Sequence, residues 1–222
     1  MAQIEIELQQ LKSEVTGMWT LVRTQLSKCK NALLHFDQDL AREVIVKEKR
    51  VNGFELKIDR DCENIFALFT PVAVDLRFVL AVLKINSSLE RIGDIAESVS
   101  NFIIKTETEF SAVLLRESKV IEMLEMALSI LDDALKSFEN ENTILARSIF
   151  QKDEFLNEVN INAVPFTKGY MKSYPEEIEQ ALNIMSIIRK VERIGDHTKN
   201  IAEEIIFYVE AKVLKHNNDL SK

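Results

Sequence analysis

The pentapeptide Glu-Arg-Ile-Gly-Asp occurs twice in this 222-residue chain, at 90–94 and at 192–196, an offset of 102 residues. An identical return at that distance marks an internal duplication, so the fold must be two like units in tandem. Apolar residues recur with helical spacing ahead of each copy. Before the first they run Ile4, Leu8, Leu11, Val15, Met18, Val22, Cys29, Leu33, Phe36, then Leu40, Val44, Val51, Phe54, Ile58, Cys62, Ile65, Phe69. The second run stops at Thr70-Pro71, because proline disfavours helical geometry in the residue before it. A third run, Ile85, Leu89, Ile92, Ala96, Val99, Ile103, carries the pentapeptide itself.

The pattern then starts again. Ile121, Leu124, Leu128, Leu131, Leu135 and Phe138 mark a fourth helix. Leu145, Ile149, Leu156, Val159 and Ala163 mark a fifth, expected to end between Pro165 and Pro175. Ile184, Ile188, Val191, Ile194, Ile201 and Ile205 mark a sixth. With only 5 glycines and 3 prolines, turns must be few and elements long. The expected fold is therefore all-α: two tandem, internally duplicated, antiparallel three-helix bundles built from six long helices, with units at 1–107 and 108–222.

Composition narrows the function. A net charge of −8 argues against nonspecific nucleic-acid binding, which needs Lys and Arg to neutralise phosphates. Cys29 and Cys62 sit at apolar helical positions without Cys-x-x-Cys spacing, so they read as small core residues of a reducing compartment. Trp19, Phe66, Phe69, Phe78, Phe102, Phe207 and Tyr208 likewise fall at core spacing. The mixed N-terminal residues lack the apolar run of a signal peptide, and no stretch approaches the ~18 apolar residues of a membrane helix. A cytoplasmic protein without membrane insertion is expected.

The chemistry-bearing residues lie on the pentapeptide helices. Residues four apart share a helix face, so Glu90 and Asp94 project together, as do Glu192 and Asp196. The glycine between them costs about 0.5–1 kcal/mol relative to alanine, which makes sense if a packed helix or a bound ion approaches the backbone there. Folding the hairpin about Pro71 sets Glu48 and Asn52 opposite Asp94 and Glu90, with Glu55 and Asp59 continuing the stripe. Folding the second hairpin about residue 174 brings Asp153 and Asn157 near Glu192 and Asp196. Both halves converge on an acid-x-x-x-Asn facing Glu-x-x-x-Asp. Clustered carboxylates either bind a cation or stay solvated beside counterions such as Lys47, Lys49, Arg50, Arg91 and Arg193. Oxygen ligands suit Mg²⁺, Ca²⁺, Mn²⁺ or ferric iron.

A ferritin-like di-metal enzyme needs Glu-x-x-His on two helices, and His35, His197 and His216 do not supply it. His197 is expected to point away from the Asp196 face. Phosphate-loop and hydrolase motifs are also absent from the sequence. Turnover is not expected, although a carboxylate-bridged di-metal enzyme and a metal-free helical adaptor stand as the alternatives.

The run Pro71-Val72-Ala73-Val74-Asp75-Leu76-Arg77 and Leu89-Glu90-Arg91-Ile92-Gly93-Asp94 resembles the PhoU family. So do Val51-Asn52, Glu55, Ile58-Asp59 and Cys62, then Val191 to His197 with Asn200-Ile201-Ala202-Glu203. The resemblance spans nearly the whole chain. It implies two three-helix bundles and iron or zinc clusters on the acidic motifs, held by Glu48, Asn52, Glu90 and Asp94 in one half. In the other half it implies Asp153, Asn157, Glu192 and Asp196. Asn52 and Asn157 depart from the acidic form of the motif, which weakens them as ligands. The resemblance further implies a negative regulator of phosphate uptake and starvation signalling. Such a regulator works between a phosphate ABC transporter and a membrane sensor histidine kinase, and a homodimer is compatible with it.

Overall fold

The computed structural model describes residues 3–214. The outer ends of the two expected units, and His216, lie outside the described residues. Three long helices form first: α1 (Gln3–His35), α2 (Gln38–Phe69) and α3 (Ala73–Lys105). A short α4 (Ala112–Glu117) follows, then α5 (Val120–Asn140), α6 (Thr143–Ser173), a 3-10 turn (Pro175–Glu177) and α7 (Ile178–Glu210). Among the described residues the chain is all helical, with six long helices. The short α4 was not legible as a helix, because six residues carry too little periodicity.

The first turns of the two halves are alike atom for atom. Asp37 caps α2 by accepting from the Leu40 N–H at 2.9 Å, and Asn142 caps α6 by accepting from the Leu145 N–H at 3.0 Å. Each cap residue also returns its own N–H to the end of the preceding helix, Asp37 to Ala32 and Asn142 to Ser137, both at 3.0 Å. These caps lie 105 residues apart and fix the alignment of α1–α2 with α5–α6. The chain closes such turns without glycine. Phe36, Thr70, Lys119, Glu141 and Ala211 adopt positive φ beside helix ends, whereas no glycine does.

α6 ends at Ser173, inside the expected span from Pro165 to Pro175, so Pro165 stands within the helix. A proline there removes one hydrogen bond and disfavours the helix. Ala163, Thr167 and Tyr170 nevertheless stay on the buried stripe across it, so packing carries the helix through. Tyr170 then anchors the far end, donating its hydroxyl proton to Glu177 and accepting from the hydroxyl of Ser111 in the linker. Gln180 accepts from the Ser111 N–H at 2.8 Å and donates to the Glu109 carbonyl at 3.0 Å, fastening the linker to α7.

The two bundles share one core. α1 packs on α5 and α3 on α7 in addition to the contacts within each half. Trp19 is fully buried at this seam, donating to the Leu131 carbonyl at 3.2 Å and resting against Phe138, which in turn meets Phe78 and Tyr208. Arg23 grips Asp132 with two hydrogen bonds, at 2.9 and 3.1 Å, and Lys84 meets the buried Glu204 at 3.0 Å. Cys29 and Cys62 are buried and unpaired, and burial pushes both thiols up to about 12. No described helix is long and apolar enough to cross a membrane.

Removing either cap leaves a helix-end N–H without its partner. Asp37→Ala and Asn142→Ala should each lower stability by about 1 kcal/mol, read from urea unfolding midpoints. A change indistinguishable from zero in both would mean that these ends are held by packing alone.

Candidate metal-binding faces

In each half a buried carboxylate from the second helix lies against the pentapeptide glycine of the third. Glu48 of α2 is 4% exposed. Its oxygens stand 3.1 and 3.2 Å from where a Cβ on Gly93 would be. In the second half Asp153 of α6, 1% exposed, sits closer still, and a Cβ on Gly195 would overlap its Oδ1. The glycines are thus the gaps into which the acids fit.

At the first face the buried acid Glu48 makes no ion pair among the described residues. Gln25 of α1 donates from Nε2 to Glu48 Oε2 at 3.0 Å and to the Val44 carbonyl at 3.3 Å. Glu48 Oε1 and Gln25 Oε1 are buried without a hydrogen-bond partner. Burial drives the Glu48 carboxyl up to about 7, and the charges of Asp94, Glu97 and Glu90 push the same way. Burial and Asp94 raise Glu90 to about 6. The nearest cation on α3, Arg91, reaches Asp94 at 3.2 Å and Glu90 at 3.4 Å, but its side chain is half exposed. Beyond Glu48 the stripe continues. Asn86 donates to the Glu55 carbonyl at 3.0 Å and to Asp59 Oδ1 at 2.9 Å, and burial and Asp59 raise the Glu55 carboxyl.

The second face has its own cation. Lys199 bridges Asp153 at 2.6 Å and Asp196 at 2.8 Å. Asn157 donates to Asp153 Oδ2 at 3.0 Å. Burial still raises Asp153 above its ordinary range, with Lys199 opposing it. Burial and the neighbouring Asp196 raise Glu192. His197, half-buried, lies near Arg91 and Arg193, and burial followed by those charges favours its neutral form.

The structure thus gathers Glu48, Glu90 and Asp94 on one face, and Asp153, Asn157, Glu192 and Asp196 on the other. Asn52, one helical turn beyond Glu48, is exposed, and among the described residues no hydrogen bond joins it to Glu48, Glu90 or Asp94. Three residues escaped the sequence reading. Gln25 arrives from α1, whose rotation about its axis no hairpin arithmetic fixes. Glu97 and Lys199 stand three residues after each motif Asp, a spacing that could have singled them out. As the side chains stand, no three acidic, histidine or cysteine residues among those described converge into a metal cage.

Known proteins resemble this chain along nearly its whole length. A family model described as the PhoU domain matches residues 15–103 and 120–205. A phosphate-specific transport system accessory protein PhoU homolog of Burkholderia sp is 33% identical over 97% of this chain and 92% of the relative. The Escherichia coli K12 accessory protein PhoU is 31% identical over 96% and 88%. The crystal structure of PhoU from Pseudomonas aeruginosa superposes with a TM-score of 0.89 at 33% identity, covering 95% of this chain and all of that one. The phosphate transport system regulatory protein PhoU of Streptococcus pneumoniae gives 0.83 at 27% identity, covering 95% and 99%.

The glycines permit a signed test. Nothing lies within 4 Å of a Cβ added at Gly53 or Gly169, whereas Gly195 is filled by Asp153. Gly53→Ala and Gly169→Ala should stabilise by about 0.5–1 kcal/mol through helix propensity. Gly195→Ala should instead destabilise by about 1–3 kcal/mol through overpacking. Chemical denaturation reads all three, and a stabilised Gly195→Ala would contradict the close approach.

Glu48 sets a pH dependence. With its folded pKa near 7 and its unfolded value ordinary, the folded chain holds a proton that the unfolded chain has released. Stability therefore declines as pH rises from about 4.3 towards 7, then levels off. In metal-free buffer, Glu48→Gln should remove this decline and exceed the wild type above pH 7 by about 1–3 kcal/mol. Equal differences between variant and wild type at pH 5 and pH 8 would count against it.

Proposed function

The chain belongs to the PhoU family, and from that premise we propose that it is a cytoplasmic accessory regulator of phosphate uptake. It acts by binding other proteins, with no turnover of its own. The observation that carries this reading is the near-complete alignment with phosphate-specific transport accessory proteins, both repeats included. Its partners are components of a phosphate ABC transporter and a membrane sensor histidine kinase, and its effect is to damp uptake and starvation signalling when phosphate is plentiful. Long helical faces suit such docking, and self-association into a homodimer is compatible with it.

A metal ion contributes at the acidic faces, with iron or zinc favoured and manganese, magnesium or calcium compatible with oxygen donors. The unpartnered, buried Glu48 Oε1 beside Glu90 and Asp94 supports this at the first face. Arg91, the cation that meets Glu90 and Asp94, is more than half exposed, so a metal entering there displaces no buried ion pair. When bound, the metal supplies positive charge that holds α2 against α3. Glu48, Glu90 and Asp94 hold it, and Gly93 leaves the room for Glu48 to do so.

Two measurements check the reading separately. Deleting the gene should raise phosphate uptake in phosphate-replete cells, and unchanged uptake would remove the regulatory role. Elemental analysis of protein purified without chelator or histidine tag should find iron, zinc or manganese, lost in Glu90→Ala/Asp94→Ala. Metal-free wild type would leave the regulator standing and reduce the faces to docking surfaces.

A further inference from the structure

The two halves are equivalent in fold and unequal in charge. The α2 and α6 caps align α1–α2 with α5–α6 at an offset of 105 residues, and the pentapeptides align α3 with α7 at 102. By these offsets Glu48 corresponds to Asp153, Gln25 to Ile130, and Glu97 to Lys199. Gln25 and Ile130 are both fully buried, so the amide that touches the first acid is replaced by hydrocarbon in the second half. At the other position an acid is replaced by a base. The Lys199 ammonium then sits between Asp153 and Asp196, at 2.6 and 2.8 Å.

We infer that Lys199 is the resident cation of the second face, so that this chain takes a metal ion on its first half only. The inference rests on the proposed metal binding at the first face and narrows it. An ammonium bridging two carboxylates occupies the position where a metal would compensate them, and a metal entering there must displace a cation already held at hydrogen-bond distance. Of the residues that could move aside, Lys199 has only a quarter of its side chain exposed, and Asp153 is buried. At the first face the matching position holds Glu97, whose charge adds to the repulsion on Glu48. Each face keeps one buried acid oxygen without a hydrogen-bond partner, Glu48 Oε1 and Asp153 Oδ1, so the two differ in the cation that only the second holds against its buried acid. A duplicated site has in this way become one open face and one closed by the chain itself.

Full-length protein is dialysed against Zn²⁺ or Mn²⁺ in turn, and bound metal is counted by elemental analysis. Glu48→Gln/Asp94→Asn should lose essentially all of the wild-type metal, and Asp153→Asn/Asp196→Asn should lose none. Lys199→Glu, which copies the charge of position 97, should give the first-face double variant a metal content it otherwise lacks. Metal that persists in Glu48→Gln/Asp94→Asn and leaves with Asp153→Asn would overturn the inference while sparing the metal reading.

A second measurement decides the matter even if the wild type binds no metal, an outcome that would sink only the metal reading. Lys199→Met strands two acids and should lower Tm by about 4–8 °C. Adding Asp153→Asn/Asp196→Asn to it should recover most of that loss. An unchanged Tm for Lys199→Met would show that Lys199 compensates nothing and would overturn the inference whatever the metal content.

Discussion

A carboxylate packed against a bare stretch of helix backbone is the constraint around which each half is arranged. Glu48 over Gly93 and Asp153 over Gly195 require the second and third helices to approach closely at one level. Interiors are close-packed, so that approach sets the spacing of side chains above and below it. Val51 and Leu156, one helical turn from the acids, close over the same two glycines. The arrangement places ionisable groups where apolar ones would be more comfortable. Burying a charge is unfavourable unless it is paired, and the two halves answer this differently, with an amide on one side and an ammonium on the other.

The seam between the halves makes that difference matter to the whole molecule. α3 and α7, which carry the two motifs, pack directly on each other, and His197 on one feels the charge of Arg91 on the other. The acidic faces are therefore two sides of one central helix pair.

Much of this was legible in the sequence, for definable reasons. Helices as long as α3 and α7 repeat their apolar stripe many times, so their existence and approximate ends follow from period alone. Hairpins with short turns also propagate register. A fold about Pro71 brings Glu48 level with the Gly93 turn, and a fold about residue 174 does the same for Asp153 and Gly195. What the pattern could not carry was context from a third element. Gln25 enters from α1, and Pro165 is tolerated because buried neighbours on both sides hold α6 together.

The single tryptophan has a consequence of another kind. Trp19 lies on α1 yet donates to a carbonyl of α5 and rests against Phe138, 5.8 Å between ring centroids. Its indole is shielded from water only while the two halves remain in contact. The chain therefore carries a built-in optical gauge of its own seam: ultraviolet emission from one native residue responds when α1 and α5 part, without a dye or label.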